Sequence, residues 1–178
     1  MPSFHLRFVG QTSLPKSISQ ADVDEAFSLS AKDVVDVREK FRSARLGAAL
    51  QLVFVRATGR SLDAVSGVPR VLLQSLCTAL GLNETAIASL RSLYKRPATR
   101  FAHQRWAREY CGFSPAEETA FAELRSALVT LAGSASSVDD LVKQTELWLF
   151  CNKYLLPGEI GRAHVRTLAV LQQVSAAW

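Results

Sequence analysis

The sequence predicts an all-α fold, a multi-helix bundle of about seven to nine helices that can divide into two small helical subdomains. Three observations predict it. Beyond residue 20 the apolar residues recur at helical spacing nearly everywhere. Serine and proline start signals alternate with glycine stops. The one strand candidate, Phe4 to Val9, alternates over too short a run to found a sheet.

Taken in order, Ser30 with Asp33 three residues on reads as a capping box, opening a helix whose buried side uses Val34, Val37 and Phe41. Arg45 to Ala57 places Leu46, Ala49, Leu50, Val53 and Phe54 along one stripe, the clearest amphipathic pattern in the chain. Pro69 suits a first helical turn, Val71, Leu72, Leu76 and Leu80 form the next stripe, and Gly81 supplies a left-handed stop. Asn83 is read as the cap of a short helix through Tyr94 that Pro97 ends. From Thr99, the residues Ala102, Trp106 and Tyr110 fall on one expected inner face, while Arg100, Gln104 and Arg108 form a cationic row with His103 beside it.

Ser114-Pro115-Ala116-Glu117 has the form of a capping box with proline at the first helical position, starting a helix to about Ala132. Gly133 to Ser137 is the best linker candidate. Ser137 with Asp140 opens a helix carrying Leu141, Thr145, Trp148 and Leu149, with Trp148 expected to be buried. Leu155-Leu156-Pro157-Gly158 then turns into a last helix. The expected organisation is an N-terminal arm over 1–20, a basic helical subdomain over 21–112 and a second helical subdomain over 113–178.

The formal charge of +5 permits binding to a polyanion without requiring it, so its distribution decides. No Asp or Glu lies between Lys40 and Leu62, where Lys40, Arg42, Arg45, Arg56 and Arg60 fall. None lies between Thr85 and Arg108, where Arg91, Lys95, Arg96, Arg100, Arg105 and Arg108 fall. Ser114 to Leu147 is acidic instead, with Glu117, Glu118, Glu123, Asp139, Asp140 and Glu146 against Arg125 and Lys143. Ordinary solvated surfaces mix both signs, so this segregation favours contact with a polyanion.

Cys77, Cys111 and Cys151 lack the paired spacing of a zinc site and read as reduced core thiols. The N-terminus makes a poor signal peptide and no run reaches the length of a membrane span, which points to the cytoplasm. His5, His103 and His164 are scattered, Asp139-Asp140 is explained by helix capping, and Gly47 and Gly59 lack phosphate-loop context. No catalytic residue, metal site, cofactor or small-molecule substrate is expected.

The order of short motifs carries a resemblance. Leu29-Ser30 with Asp33 and Val37, Arg45 to Leu52, Arg56 with Gly59-Arg60, Val68-Pro69 and Leu80-Gly81-Leu82 come first. Tyr94 with Arg96, Thr99-Arg100 with His103, Tyr110 with Gly112-Phe113, Trp148 and Leu156-Pro157-Gly158 complete the series. From about residue 20 to about residue 165 the chain resembles the N-terminal DNA-binding region of the Tn-three family of replicative transposases. Ala48 departs from the phenylalanine usual after the helix glycine. The resemblance implies a non-catalytic module that recognises the terminal inverted repeats of a transposon; the family's longer proteins carry an acidic metal-binding core C-terminal to this region, and the chain is an excised domain, a truncated relic or a free-standing relative. It implies double-stranded DNA as partner, with a second copy of the chain as a further candidate, and a nucleoid association when bound.

On that reading the candidate DNA-binding residues are Lys40, Arg42, Arg45, Arg56, Arg60, Arg91, Lys95, Arg96, Arg100, His103, Gln104, Arg105 and Arg108. Arg100, Gln104 and Arg108 would enter a groove, and Lys40, Arg42, Arg45 and Arg60 would hold the backbone. Arg45 and Arg96, at helix termini, also suit intramolecular capping, and His103 suits a solvated surface position. The competing function is a helical adaptor or regulator that binds a protein partner through its acidic half.

Overall fold

The computed structural model describes residues 4–176, and among these it is all-α, without a strand. The chain divides into two compact units, Met1–Gly112 and Phe113–Trp178.

The first unit is built around its third helix. Residues Gln20–Ala26 form α1, Ala31–Lys40 form α2, Arg45–Thr58 form α3, Arg70–Leu80 form α4, Thr85–Leu93 form α5 and Pro97–Tyr110 form α6. Every residue of α3 except Arg45 and Arg56 is buried, so a helix that reads as one-sided in sequence is enclosed all round, its Gln51 and Thr58 included. Such a helix belongs in the middle of a core. Phe27, Leu72 and Leu76 share a core with its Leu50 and Phe54, and the residues before α1 contribute Phe8, Leu14 and Ile18 to the same core. Phe4–Phe8, the one strand candidate, is a short 3-10 helix. Phe8 turns its ring edge onto Phe27 at 5.0 Å.

The local signals hold at several ends. Ser30 and Asp33 form the expected capping box of α2, and a second joins Ser19 to Asp22 at α1. Gly81 ends α4 in the left-handed region at φ 66°. Two boundaries shift: Glu84, not Asn83, precedes α5, and α6 starts at Pro97. The residue before a proline is driven out of helical geometry, and Arg96 accordingly sits extended at φ −94°, ψ 106°. Pro97 therefore both separates α5 from α6 and opens the second of them.

In the second unit, Glu118–Ser134 form α7, Val138–Cys151 form α8 and Glu159–Ala176 form α9. Leu124, Leu128 and Ala132 of α7 meet Leu141 of α8 and Val165 and Ala169 of α9. Ser137 caps α8 as expected. The capping box read at Ser114 is absent, because its backbone is engaged elsewhere. Its N–H donates to the Lys153 carbonyl and its carbonyl accepts from Leu155 N–H, each at 2.8 Å. Helix α7 thus begins only at Glu118. Residues 135–137, within the expected linker, are a tight turn inside this unit. Trp148 is half-buried, stacked on Tyr154. Of the three cysteines only Cys77 is buried, Cys111 is half-buried and Cys151 is exposed, which corrects the reading of all three as core. Among the described residues no single helix is long and apolar enough to cross a membrane.

Candidate nucleic-acid interface

Helix α6 carries most of the candidate site, and its orientation is set by Gly47. A Cβ at Gly47 would stand 2.9 Å from His103 Nδ1 and 2.9 Å from the Tyr94 ring, so only glycine lets α3 and α6 approach this closely. The Tyr94 hydroxyl donates to the Gly47 carbonyl at 2.9 Å and lies 3.1 Å from His103 Nδ1. With that single hydroxyl proton committed, the imidazole must hold its proton on Nδ1 and donate to the Tyr94 oxygen. Burial lowers the His103 pKa to about 4, so the ring is neutral near pH 7. His103 is 2% exposed. It belongs to the core, a correction to its expected place on the cationic surface.

The inner line of α6 therefore runs through His103 and Ala107, not through Ala102, Trp106 and Tyr110. Ala102 is exposed, and Trp106 and Tyr110 are half-buried. Rotating the helix this way also moves the cationic row. Gln104 Nε2 donates to the Leu62 carbonyl at 2.9 Å and to Asp63 Oδ1 at 3.1 Å, and Arg100 Nη1 donates to the Asp63 carbonyl at 3.0 Å. Both brace the 62–63 loop, which corrects the expectation that they point outward together with Arg108. Arg108 is half-buried beside Glu109 at 3.9 Å. The outward face instead carries Ala98, Phe101, Ala102, Arg105 and Glu109.

Three other candidates are internal fasteners. Arg56 pairs with Asp33 through two hydrogen bonds. Arg60 is 5% exposed and its Nε donates to the Gly10 carbonyl at 2.9 Å. Arg45 donates from Nε to the Phe41 carbonyl at 2.9 Å, fixing the corner at Ala44, whose φ of 61° is left-handed. Arg45 thus has the intramolecular role that its helix-terminal position suits.

Lys40, Arg42, Arg91, Lys95, Arg96 and Arg105 are exposed, and among the described residues none is held by a carboxylate. Several are grouped around α5. On one side, Arg42 and Arg45 border an apolar groove of about 330 Å³ with Leu82, Ala86 and Leu90. On the other, Arg91, Lys95 and Arg100 line a cleft of about 420 Å³ against Asp63, Ala64 and Ser66. Asp63, the acid of that cleft, is engaged by Gln104. The arrangement offers a cationic corner on a rigid helical frame, suited to polyanion contact.

Phe101 was missed as a surface residue. It is 53% exposed, and the Arg100 guanidinium lies 5.2 Å from its ring centroid. Taking His103 and Ala107 as the inner line would have placed it outward. Among the described residues no group of three or more His, Cys, Asp and Glu side chains is placed to share a metal ion.

The all-α chain is similar in sequence to the N-terminal region of a transposase. Residues 11–159 match the family described as a domain of unknown function, DUF4158, and the chain belongs to that family. It is also 33% identical over 172 residues to the transposase for insertion sequence element IS1071 in transposon Tn5271 of Comamonas testosteroni. That match covers 94% of this chain and 17% of the transposase, so the chain spans a small part of its relative's length.

Proposed function

We propose that this chain is a non-catalytic DNA-binding module that recognises the terminal inverted repeats of a transposon. The observation that carries the reading is the set of exposed, carboxylate-free cations around α5 and on α6: Arg42, Arg91, Lys95, Arg96 and Arg105, with Lys40 at the end of α2. Guanidinium and ammonium groups kept out of internal pairs are available to neutralise phosphates and release counterions. The candidate site separates into two roles: Arg45, Arg56, Arg60, His103 and Gln104 build the frame, and the exposed cations contact the duplex. Arg100 does both, since it braces Asp63 while lining the cleft with Arg91 and Lys95. Likeness to a transposase supports DNA as the polyanion.

The test is a fluorescence-anisotropy titration of the chain against a duplex bearing the terminal repeat of the IS1071 element and a scrambled duplex, at several salt concentrations. Six phosphate contacts would give a slope of log affinity against log salt of about −5. The repeat duplex should bind more tightly than the scrambled one. A flat salt response with no duplex preference would remove the reading in favour of a protein-binding adaptor.

A further inference from the structure

We infer that Phe101 is a specificity-determining residue, placing its ring against the C5-methyl group of a thymine in the major groove; this rests on the DNA-binding reading above. Phe101 is the one exposed aromatic side chain among the described residues. A single surface apolar residue needs no explanation, but this one has a particular setting. Ala98, one turn before it, and Ala102 beside it are both exposed, so no bulky side chain keeps the helix axis away from an approaching surface. Arg105, one turn after it, is exposed and free of a carboxylate. The acid on this side is Glu109, a further turn along.

The ring is also held. The Arg100 guanidinium lies 5.2 Å from its centroid, and that guanidinium is fixed by the Asp63 carbonyl at 3.0 Å. An aromatic side chain already ordered by such a contact loses little freedom on binding. Helix α6 has 14 residues, about 21 Å at the helical rise, and a major groove about 12 Å wide admits a helix. The thymine methyl is the apolar feature that this groove displays, and phenylalanine is a side chain that reads it by contact. Arg105, one turn along, would reach a neighbouring phosphate or a guanine edge.

The test changes the DNA rather than the fold. A random-sequence duplex pool is enriched on the immobilised chain, each thymine of the selected duplex is replaced in turn by deoxyuridine, and affinities are measured for wild type, Phe101→Ala and Phe101→Leu. Wild type should lose about fourfold at one position, the value of one buried methyl-sized group. Phe101→Ala should bind the thymine and deoxyuridine duplexes equally, and Phe101→Leu should keep part of the difference. If wild type prefers the selected duplex over a scrambled one yet no deoxyuridine matters, or if Phe101→Ala keeps the same penalty, the inference falls and the DNA-binding reading stands. If wild type shows no preference for the selected duplex, both fall.

Discussion

Arg56 grips Asp33 through two parallel hydrogen bonds, Nη1 to Oδ2 at 2.9 Å and Nη2 to Oδ1 at 2.8 Å. Asp33 is 3% exposed, caps α2 through the Ser30 N–H at 2.8 Å, and lies 3.1 Å from the Tyr110 hydroxyl, whose proton goes to Asp36 Oδ2 at 2.6 Å. Burial alone would raise its pKa, but the Arg56 guanidinium and the Ser30 amide outweigh that and hold it at about 2. Asp33 thereby ties α2 to α3, and Asp36 ties it to α6.

Removing the guanidinium leaves that charge buried with weaker partners. Arg56→Met should lower the free energy of unfolding by about 3 kcal/mol, the low end for breaking a buried pair because the arginine is itself partly exposed. Urea denaturation measures it. Adding Asp33→Asn should restore part of the loss, since no carboxylate then remains buried. A single-variant loss below about 1 kcal/mol would mean that the pair is structurally neutral.

His103 makes the fold sensitive to mild acid. Its pKa falls from the ordinary 6.5 unfolded to about 4 folded, so between these values the unfolded chain binds the proton and the folded chain does not. Stability from this residue is fully present above pH 6.5 and declines as pH falls toward 4, by about 3 kcal/mol in all. Asp33, depressed from 3.8 to about 2, adds a further loss only below pH 4. Melting temperatures across this range should fall first with the histidine, and His103→Gln should flatten the curve between pH 6.5 and 4 while leaving the steeper acid limb. A flat wild-type profile down to pH 4 would contradict the buried neutral ring.

Gly47 and Gly67 offer a controlled contrast. An added methyl at Gly47 meets His103, Tyr94 and Leu90 within 3.0 Å, whereas at Gly67 nothing lies within 4 Å. Gly47→Ala should cost about 1–3 kcal/mol through overpacking of the α3 and α6 contact. Gly67→Ala should change stability by no more than about 1 kcal/mol, in the stabilising direction. Equal effects in thermal melts would show that the close approach is not what the glycine provides.

Much of the frame could be read from local chemistry, because caps and stops depend on a few neighbouring atoms. Ser30 with Asp33, Ser137 with Asp140 and Gly81 act where the sequence places them. The rotation of α6 could not be read this way. It depends on Gly47, fifty residues away, accepting an imidazole, and on Tyr94 giving that imidazole a polar partner. An inward histidine and an outward phenylalanine invert the usual hydropathy order, so periodicity selected the Trp106 line instead. The basic windows had the same weakness. Charge counting sees Arg56 and Arg105 alike, although one is spent on Asp33 and the other is exposed. At Ser114 the local signal was complete and was overridden by pairing with 153–155, which only the folded second unit supplies.

The division of the arginines into fasteners and contacts gives the last prediction. Arg60 is buried and bonded to the Gly10 carbonyl, joining the segment before α1 to the end of α3. Arg60→Ala removes a buried charged donor from the Gly10 carbonyl and should destabilise by about 2 kcal/mol. Arg96 and Arg105 are exposed with no carboxylate to hold them, so alanine at either should leave the melting temperature nearly unchanged. Each should instead weaken duplex binding, and where the lost contact is to a phosphate, affinity falls uniformly across sequences and the salt slope by about 1. Thermal melts and salt-dependent anisotropy on the same three variants read both axes. If Arg105→Ala and Arg96→Ala bind as wild type does while Arg60→Ala alone loses affinity at a temperature where it remains folded, the contact surface lies at the C-terminal end of α3 and the assignment of α6 must be abandoned.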